Sequence, residues 1–340
     1  MIPVKGSMLG DQKSNCDSFW APSCSLEVLQ LRAQVYASIR AFFKSRCVLE
    51  VETPLLSLAS GTEPTIQFFE TYDQSRLKQQ TLFLQTSPEF AMKRLLASGS
   101  GSIFQFAKAF RQGEVGRFHN PEFTLLEWYR IGFDLEALMN ETADLLVHLL
   151  PSLANQQTIK VTYQTIFNTA VGVDPLSASV TDFSVAAERF ELPDAQSVCG
   201  QNRSAWLDFL FSCVVQPSLV SMPLVMVYDY PACQASLARL KENNPLVSER
   251  FEVFVSGVEL GNGFYELSDP VEQRCRFDAE IAQREQSALR RAAKDQRLIA
   301  ALEKGLPSCS GIALGIDRLL MLRAGVDDIA EVLSFGFDRA

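Results

Sequence analysis

Three glutamates, Glu252, Glu259 and Glu266, recur at intervals of seven residues in the stretch ERFEVFVSGVELGNGFYELSD, Glu249 to Asp269. Two alternating runs flank Ser256-Gly257, a hairpin signal. Folding there brings Glu252 and Glu259 close across the pair, where like charges repel unless a cation lies between them. Carboxylates with few other ligands suit Mg²⁺ shared with substrate phosphates. Three solvated acids on an edge strand are the plainer alternative. A second polar set lies in FQFAKAFRQGEVGRFHNPEFTLLEWYR, Phe104 to Arg130. Gly113 and Gly116 mark an irregular connection, and Pro121 prevents regular pairing before the next run. From there Phe123, Leu125, Glu127 and Tyr129 share one strand face. A carboxylate and a phenol beside a phenylalanine suit the wall of a site, although alternation alone favours an ordinary hairpin with a charged tip. The chain has only two histidines, His119 and His148, which leaves little for a His-based triad or a His-rich metal site.

Several elements must hold these residues. Ser25 to Lys44 carries Leu26, Leu29, Val35, Ile39, Phe42 and Phe43 at helical spacing, with Ser25 as N-cap. The following Val48 to Pro54 alternates apolar and acidic residues as a strand that the proline stops. LFLQTSPEFAMKR, Leu82 to Arg94, predicts a strand, a turn and a helix with Ser87 as N-cap and Pro88 at N1. Leu135 to Leu150 is amphipathic and helical, which puts His148 at a surface or core edge. Met226 to Tyr230 predicts a strand. CSGIALGIDRLLMLR, Cys309 to Arg323, runs from a glycine-bearing strand into a helix starting near Ile316-Asp317, with Arg318 in its first turn. Gly315 permits close backbone approach there.

Composition narrows the class. Of 340 residues, 47% are hydrophobic and 21% charged, as in a globular domain, and the net charge of −9 disfavours broad nucleic-acid binding. Eight cysteines are scattered with no C-x-x-C pair, the pattern of free thiols in a reducing cytoplasm. The start is polar and lacks a signal peptide. The apolar window Phe209 to Tyr230 is broken by Gln216, Pro217 and Pro223, so no membrane span is expected.

Three separated stretches together resemble the class II aminoacyl-tRNA synthetases. The helix and strand ending at Pro54 are similar to motif 1, FR-x-x-E with the following strand to motif 2, and GIDR to motif 3. HNPEFT followed by E-x-Y, and RFE-(x)6-ELGNGF-x-E, resemble the lysyl branch in particular. The resemblance implies an α+β fold, a class II catalytic core whose antiparallel sheet is flanked by helices. It implies that Arg111 and Arg318 are the catalytic arginines on the phosphates of ATP, a task that suits the planar guanidinium fork. It also implies ATP contacts from Asn120, Phe123 as adenine stacking partner, Glu259, Leu260 and Gly315, and Mg²⁺ on Glu252 and Glu259. The lysyl enzymes often read F-R-x-E, whereas Gly113 stands here with Glu114 next, so either Glu114 or the Gly113 backbone takes the adenine contact. Ser87, Pro88, Glu89, Glu127, Tyr129, Asn262 and Glu266 are implied to hold the amino-acid substrate. Ser87 stands where the lysyl enzymes carry alanine.

Residues 1–24 read as a tail and 25–340 as one catalytic domain without an anticodon-binding domain. That organisation resembles the free-standing paralogues of the lysyl branch, the elongation factor P–(R)-β-lysine ligases. It implies adenylation of (R)-β-lysine or lysine, transfer to a lysine of elongation factor P, no stable tRNA binding, no membrane contact and a homodimer through Ser25–Pro54. A truncated enzyme charging tRNA, and a non-catalytic binding module, are the alternatives from other classes. The second is disfavoured because both arginines and all three glutamates persist.

Overall fold

Capping residues and alternating runs set most element boundaries. A computed structural model describes residues 20–74 and 80–340. Residues 1–19 of the expected tail lie outside the described residues, while Ser23 is tied to the C-terminal segment through its N–H to Ser334 O at 2.8 Å. The Ser25 hydroxyl accepts the Val28 N–H and starts α1, Leu26–Ser45, which buries Val35, Ile39, Phe42 and Phe43. Only Leu49–Glu50, β1, of the expected Val48–Pro54 strand pairs regularly. Pro54 has no N–H to donate and the chain leaves the sheet before it. A small antiparallel sheet follows from β2 (Leu56–Ser57), β3 (Glu70–Asp73) and β4 (Gln80–Leu84).

The main sheet collects strands from the whole chain. After α2 (Glu89–Ala97) come β5 (Ile103–Phe110), β6 (Glu122–Ile131) and α3 (Leu135–Leu149). β7 (Thr158–Thr162) leads into a helical layer of α4 (Tyr163–Val171), α5 (Val180–Arg189), α6 (Ala195–Cys199), α7 (Arg203–Leu210) and the single turn α8 (Gln216–Ser218). The central hairpins and their flanking helices are β8 (Leu224–Pro231), β9 (Leu240–Lys241), β10 (Asn244–Val255), β11 (Val258–Tyr265), α9 (Pro270–Gln286), α10 (Gln296–Lys304), β12 (Cys309–Gly315) and α11 (Ile316–Ala324). The strand order is β1-β5-β6-β12-β11-β10-β8-β7, with β9 added to β10. The central six strands pair antiparallel. β1 and β7 join at the two ends in parallel, which makes the sheet mixed at its margins.

Alternation sorts the two faces. Leu126 and Trp128 of β6 pack with Phe43, Phe104, Leu138, Leu146 and Leu319 in the main core against α1, α3 and α11. Tyr129 faces the other way, among Met92, Leu96, Phe277 and Leu298 of α2, α9 and α10. A third apolar cluster joins α4, α5 and α7 to β8 through Tyr163, Phe167, Trp206, Val225 and Val227. The Phe209–Tyr230 window thus holds buried helix and strand segments, and His148 is exposed. No described helix is long and apolar enough to cross a membrane.

Candidate functional site

Sheet register lines up the polar residues of five strands. Gln105 of β5 pairs with Glu127 of β6, Glu127 with Ala313 of β12, Ala313 with Asn262 of β11, and Asn262 with Glu252 of β10. Directly paired residues point to the same side of a sheet, so this row is a polar stripe on the face toward α2 and α9. The adjoining row is Ile103, Tyr129, Gly311, Phe264 and Arg250. The absent side chain of Gly311 gives room to the groups that wall a hollow beside it: a Cβ there would lie 2.3 Å from the Tyr129 ring and 2.8 Å from Glu266 Oε1.

Three carboxylates gather at this hollow. Both Glu127 oxygens are occupied, Oε1 by the Tyr129 hydroxyl at 2.6 Å and Oε2 by the Ser87 hydroxyl at 2.8 Å. Ser87 also accepts the Glu89 N–H at 3.1 Å. The regular helix starts at Glu89, one residue later than expected, yet the serine hydroxyl makes the expected capping bond to the Glu89 N–H while it donates to Glu127. Glu266, 3% exposed, and Glu89 share the ammonium of Lys93, whose Nζ lies 2.6 Å from an oxygen of each. Burial pushes Glu127 up to about 8, with the nearby Glu89 charge adding to it. Burial likewise pushes Glu266 to about 8 against the pull of Lys93.

Past the ends of β5 and β12 the site is built around arginines. Arg111 follows β5, its guanidinium 5.0 Å from the Phe123 ring centroid and 3.6 Å from Glu114. Its buried Nε has no hydrogen-bond partner, leaving a donor for a ligand. Arg318 donates to the main-chain oxygens of Phe118 at 3.2 Å and Glu259 at 2.9 Å, and lies 2.7 Å from His119 Nε2. Because arginine only donates, His119 accepts there in its neutral form; burial and then Arg318 hold its pKa below the usual value. Gly113 has φ +84°, a left-handed turn in the connecting loop that favours glycine. Asn120 is used by the loop and the C-terminal segment, donating to Glu122 O at 2.6 Å and accepting from Phe337 N at 3.1 Å. Leu260 sends its side chain into the main core, so only its backbone is available to a ligand. At Gly315 a Cβ would meet Leu260 O at 3.7 Å, ordinary contact, and no protein neighbour demands glycine there.

The hairpin turns at Ser256-Gly257, both residues at positive φ. The expected approach of Glu252 and Glu259 across the hairpin takes the form of a shared face, not of a directly opposed pair: the turn register puts Phe254 opposite Glu259, and a bulge after Val253 puts Glu252 opposite Asn262. The two glutamates still share a face and line one cavity of about 150 Å³ with Tyr163, Asp208, Tyr230 and Phe254. Burial foremost, and then Glu259, raise the Glu252 pKa against Arg250. Glu252 Oε1 lies 2.5 Å from Arg250 Nη2 and its Oε2 accepts the Tyr230 hydroxyl at 2.5 Å. Arg250 also donates to Asn262 Oδ1 at 3.1 Å.

Several residues given no role by the sequence prove central. Lys93 was legible only as a helix position four residues after Glu89. Asp317, next to Arg318, accepts Arg32 of α1 at 2.5 Å and the Thr124 N–H of β6 at 2.7 Å, bracing three distant elements behind the site. His119 and Arg250 lie inside recognised motifs but carried no assigned contact.

With this geometry in place, comparison with known proteins gives one answer. Residues 21–339 match the family model of class II tRNA synthetases (D, K and N). The chain is 46% identical over 323 residues to the elongation factor P–(R)-β-lysine ligase of Pasteurella multocida, covering 94% of this chain and 98% of that protein. The ligase of Vibrio vulnificus is 47% identical with the same coverage. That of Vibrio cholerae is 46% identical over 95% of this chain and 99% of the relative. The chain therefore belongs to the class II tRNA synthetases of the D, K and N group, in the branch of the elongation factor P–(R)-β-lysine ligases.

Proposed function

We propose that the chain is an AMP-forming ligase that adenylates (R)-β-lysine or lysine and transfers it to the ε-amine of a lysine in elongation factor P, with residues 25–340 acting as one catalytic unit. The observation that carries this reading is one sheet face that bears the buried carboxylates Glu127 and Glu266 and, past the ends of β5 and β12, Arg111 and Arg318. Glu127, Tyr129 and Glu266 hold the terminal ammonium of the substrate and Glu89 its second amine. The substrate carboxylate is thereby presented toward Arg111, whose unpartnered Nε supports contact with phosphate and carboxylate oxygens.

The chemistry needs position and charge neutralisation. A carboxylate oxygen attacks the α-phosphorus of ATP, the bond to pyrophosphate breaks, and a mixed anhydride forms. Arg111 and Arg318 stabilise the charge spread over the phosphates, with Phe123 beneath adenine and either Glu114 or the Gly113 backbone at its edge. In the second step the acceptor amine attacks the carbonyl, AMP leaves and the amine loses a proton. No histidine is required.

Mg²⁺ fits the donor set at Glu252 and Glu259, which is all oxygen. Among the described residues no group of three or more His, Cys, Asp and Glu side chains is placed to hold a metal, which suits an ion whose remaining ligands are nucleotide oxygens. When bound, it would neutralise phosphate charge. Glu259, 41% exposed at its side chain, is the freer of the two ligands.

The test of the acceptor offers activated β-lysine to purified elongation factor P and total tRNA side by side. The expected result is a mass increase on the protein and negligible aminoacyl-tRNA. Aminoacyl-tRNA formed at comparable rate with unmodified protein overturns the reading. A homodimer through the Ser25–Pro54 region accords with the exposure of Leu26 and Leu49 on it, 64% and 56%. Sedimentation at micromolar concentration is expected to give a dimer; a fully active monomer contradicts it.

Substrate binding is expected to depend on pH. With the free-site carboxyl of Glu127 at about 8, the empty hollow carries a proton at neutral pH. An incoming ammonium favours the carboxylate and expels that proton. Affinity therefore rises with pH up to about 8 and then levels, by up to about tenfold per unit for each proton released. Calorimetry in buffers of different ionisation heat measures the release. Binding without proton release at pH 7 would rule out this assignment of Glu127.

A further inference from the structure

Lys93 is the unusual group in the hollow. Its side chain is 1% exposed, and among the described residues its charged contacts are one oxygen each of Glu89 and Glu266. These carboxylates belong to separate elements: Glu89 opens α2, while Glu266 follows β11 and is held by its N–H to Cys309 O at 3.0 Å. Burial pulls the Lys93 ammonium toward neutrality, but Glu266 and Glu89 outweigh it and hold it charged above the ordinary lysine value. A cation already occupies the place between two carboxylates assigned above to a diamine substrate.

We propose that Lys93 is an internal counter-cation that holds the amine-binding carboxylates in place and sets how much positive charge the hollow accepts. It joins Glu89 to Glu266 through a single nitrogen and so fixes the separation of the two amine-binding carboxylates. Once a bound ammonium has expelled the Glu127 proton, Lys93 also balances one of the three negative charges of Glu89, Glu127 and Glu266. The two that remain match the two ammonium groups of a lysine-like substrate. A monoamine leaves one charge unbalanced in a buried site. Lys93 need not touch substrate, so its role is positioning. This inference rests on the assignment of the hollow to the substrate amines.

The test is Lys93→Ala, assayed by amine-dependent ATP–pyrophosphate exchange and, without ATP, by calorimetry. The expected result is a KM for lysine or β-lysine raised about a hundredfold with a smaller change in kcat. The pH at which binding levels off should move upward, because Glu266 loses the cation that favours its ionised form. Ethylammonium should restore part of the lost affinity, while propanol should not. A folded Lys93→Ala protein with unchanged KM and pH profile overturns the proposal, as does equal rescue by the neutral alcohol. If the variant does not fold, selective ¹⁵N labelling of lysine in the wild-type protein decides instead. The Lys93 ammonium is expected to stay charged across the active pH range with substrate bound, and its titration within that range refutes the inference. Failure of wild-type exchange with both amines would refute the substrate assignment itself and is read separately.

Discussion

Glu259→Gln is expected to abolish ATP–pyrophosphate exchange while leaving the protein folded. The side chain is 41% exposed and lies 3.9 Å from Arg318 Nη1, which also donates to the Glu259 main-chain oxygen at 2.9 Å, so the amide gives up a long, half-exposed ion pair and leaves the main-chain bond in place. Loss of an ion pair of that kind changes stability by only about 0.5 kcal/mol. The lost charge is different in kind. Glu252 already gives one oxygen to Arg250 and the other to Tyr230, so it has little capacity to hold an ion alone. Loss of preorganised charge stabilisation lowers turnover by about a hundredfold to a thousandfold. Exchange measured at saturating Mg²⁺, beside a thermal melt, separates catalysis from folding; wild-type exchange by the variant removes Glu259 from the metal site. Glu252→Gln should instead lower the melting temperature, since Arg250 would lose its buried ionic partner.

Gly311→Ala is expected to close the substrate hollow. Its new methyl would lie 2.3 Å from Cδ1 and Cε1 of Tyr129 and 2.8 Å from Glu266 Oε1. Neither neighbour moves freely. The Tyr129 ring is 3% exposed and its hydroxyl is bound to Glu127 at 2.6 Å, while Glu266 is held by Lys93. Overpacking of this kind costs about 1–3 kcal/mol of stability. The larger effect falls on amine binding, because shifting Tyr129 and Glu266 disrupts two amine-binding groups together. The KM for lysine or β-lysine should rise about a hundredfold, the penalty of a misplacement near 1 Å, while the KM for ATP stays within about threefold. Equal effects on both substrates would place Gly311 outside the amine hollow.

The sequence by itself determined the local elements and the kinds of residue each would offer. Ser25 caps α1 as its hydroxyl requires, Ser256-Gly257 turns the hairpin, and alternation puts Glu127 and Tyr129 on one face. These outcomes depend on nearest neighbours along the chain, so period and capping chemistry suffice to read them. The family resemblance added the order of the three motifs, and the class II fold agrees with it. What only the tertiary structure decided is how distant segments meet. The bulge after Val253 shifts β11 so that Glu252 faces Asn262, and one inserted residue leaves no mark in a pattern of alternation. Ser87 adds to its bond at the start of α2 a second one to Glu127, forty positions away. Lys93 looks in sequence like a solvated helix lysine and becomes a buried cation because Glu266, from the far end of β11, folds over it. A buried charge persists only where an opposite charge is supplied, and that supply depends on which strands lie side by side.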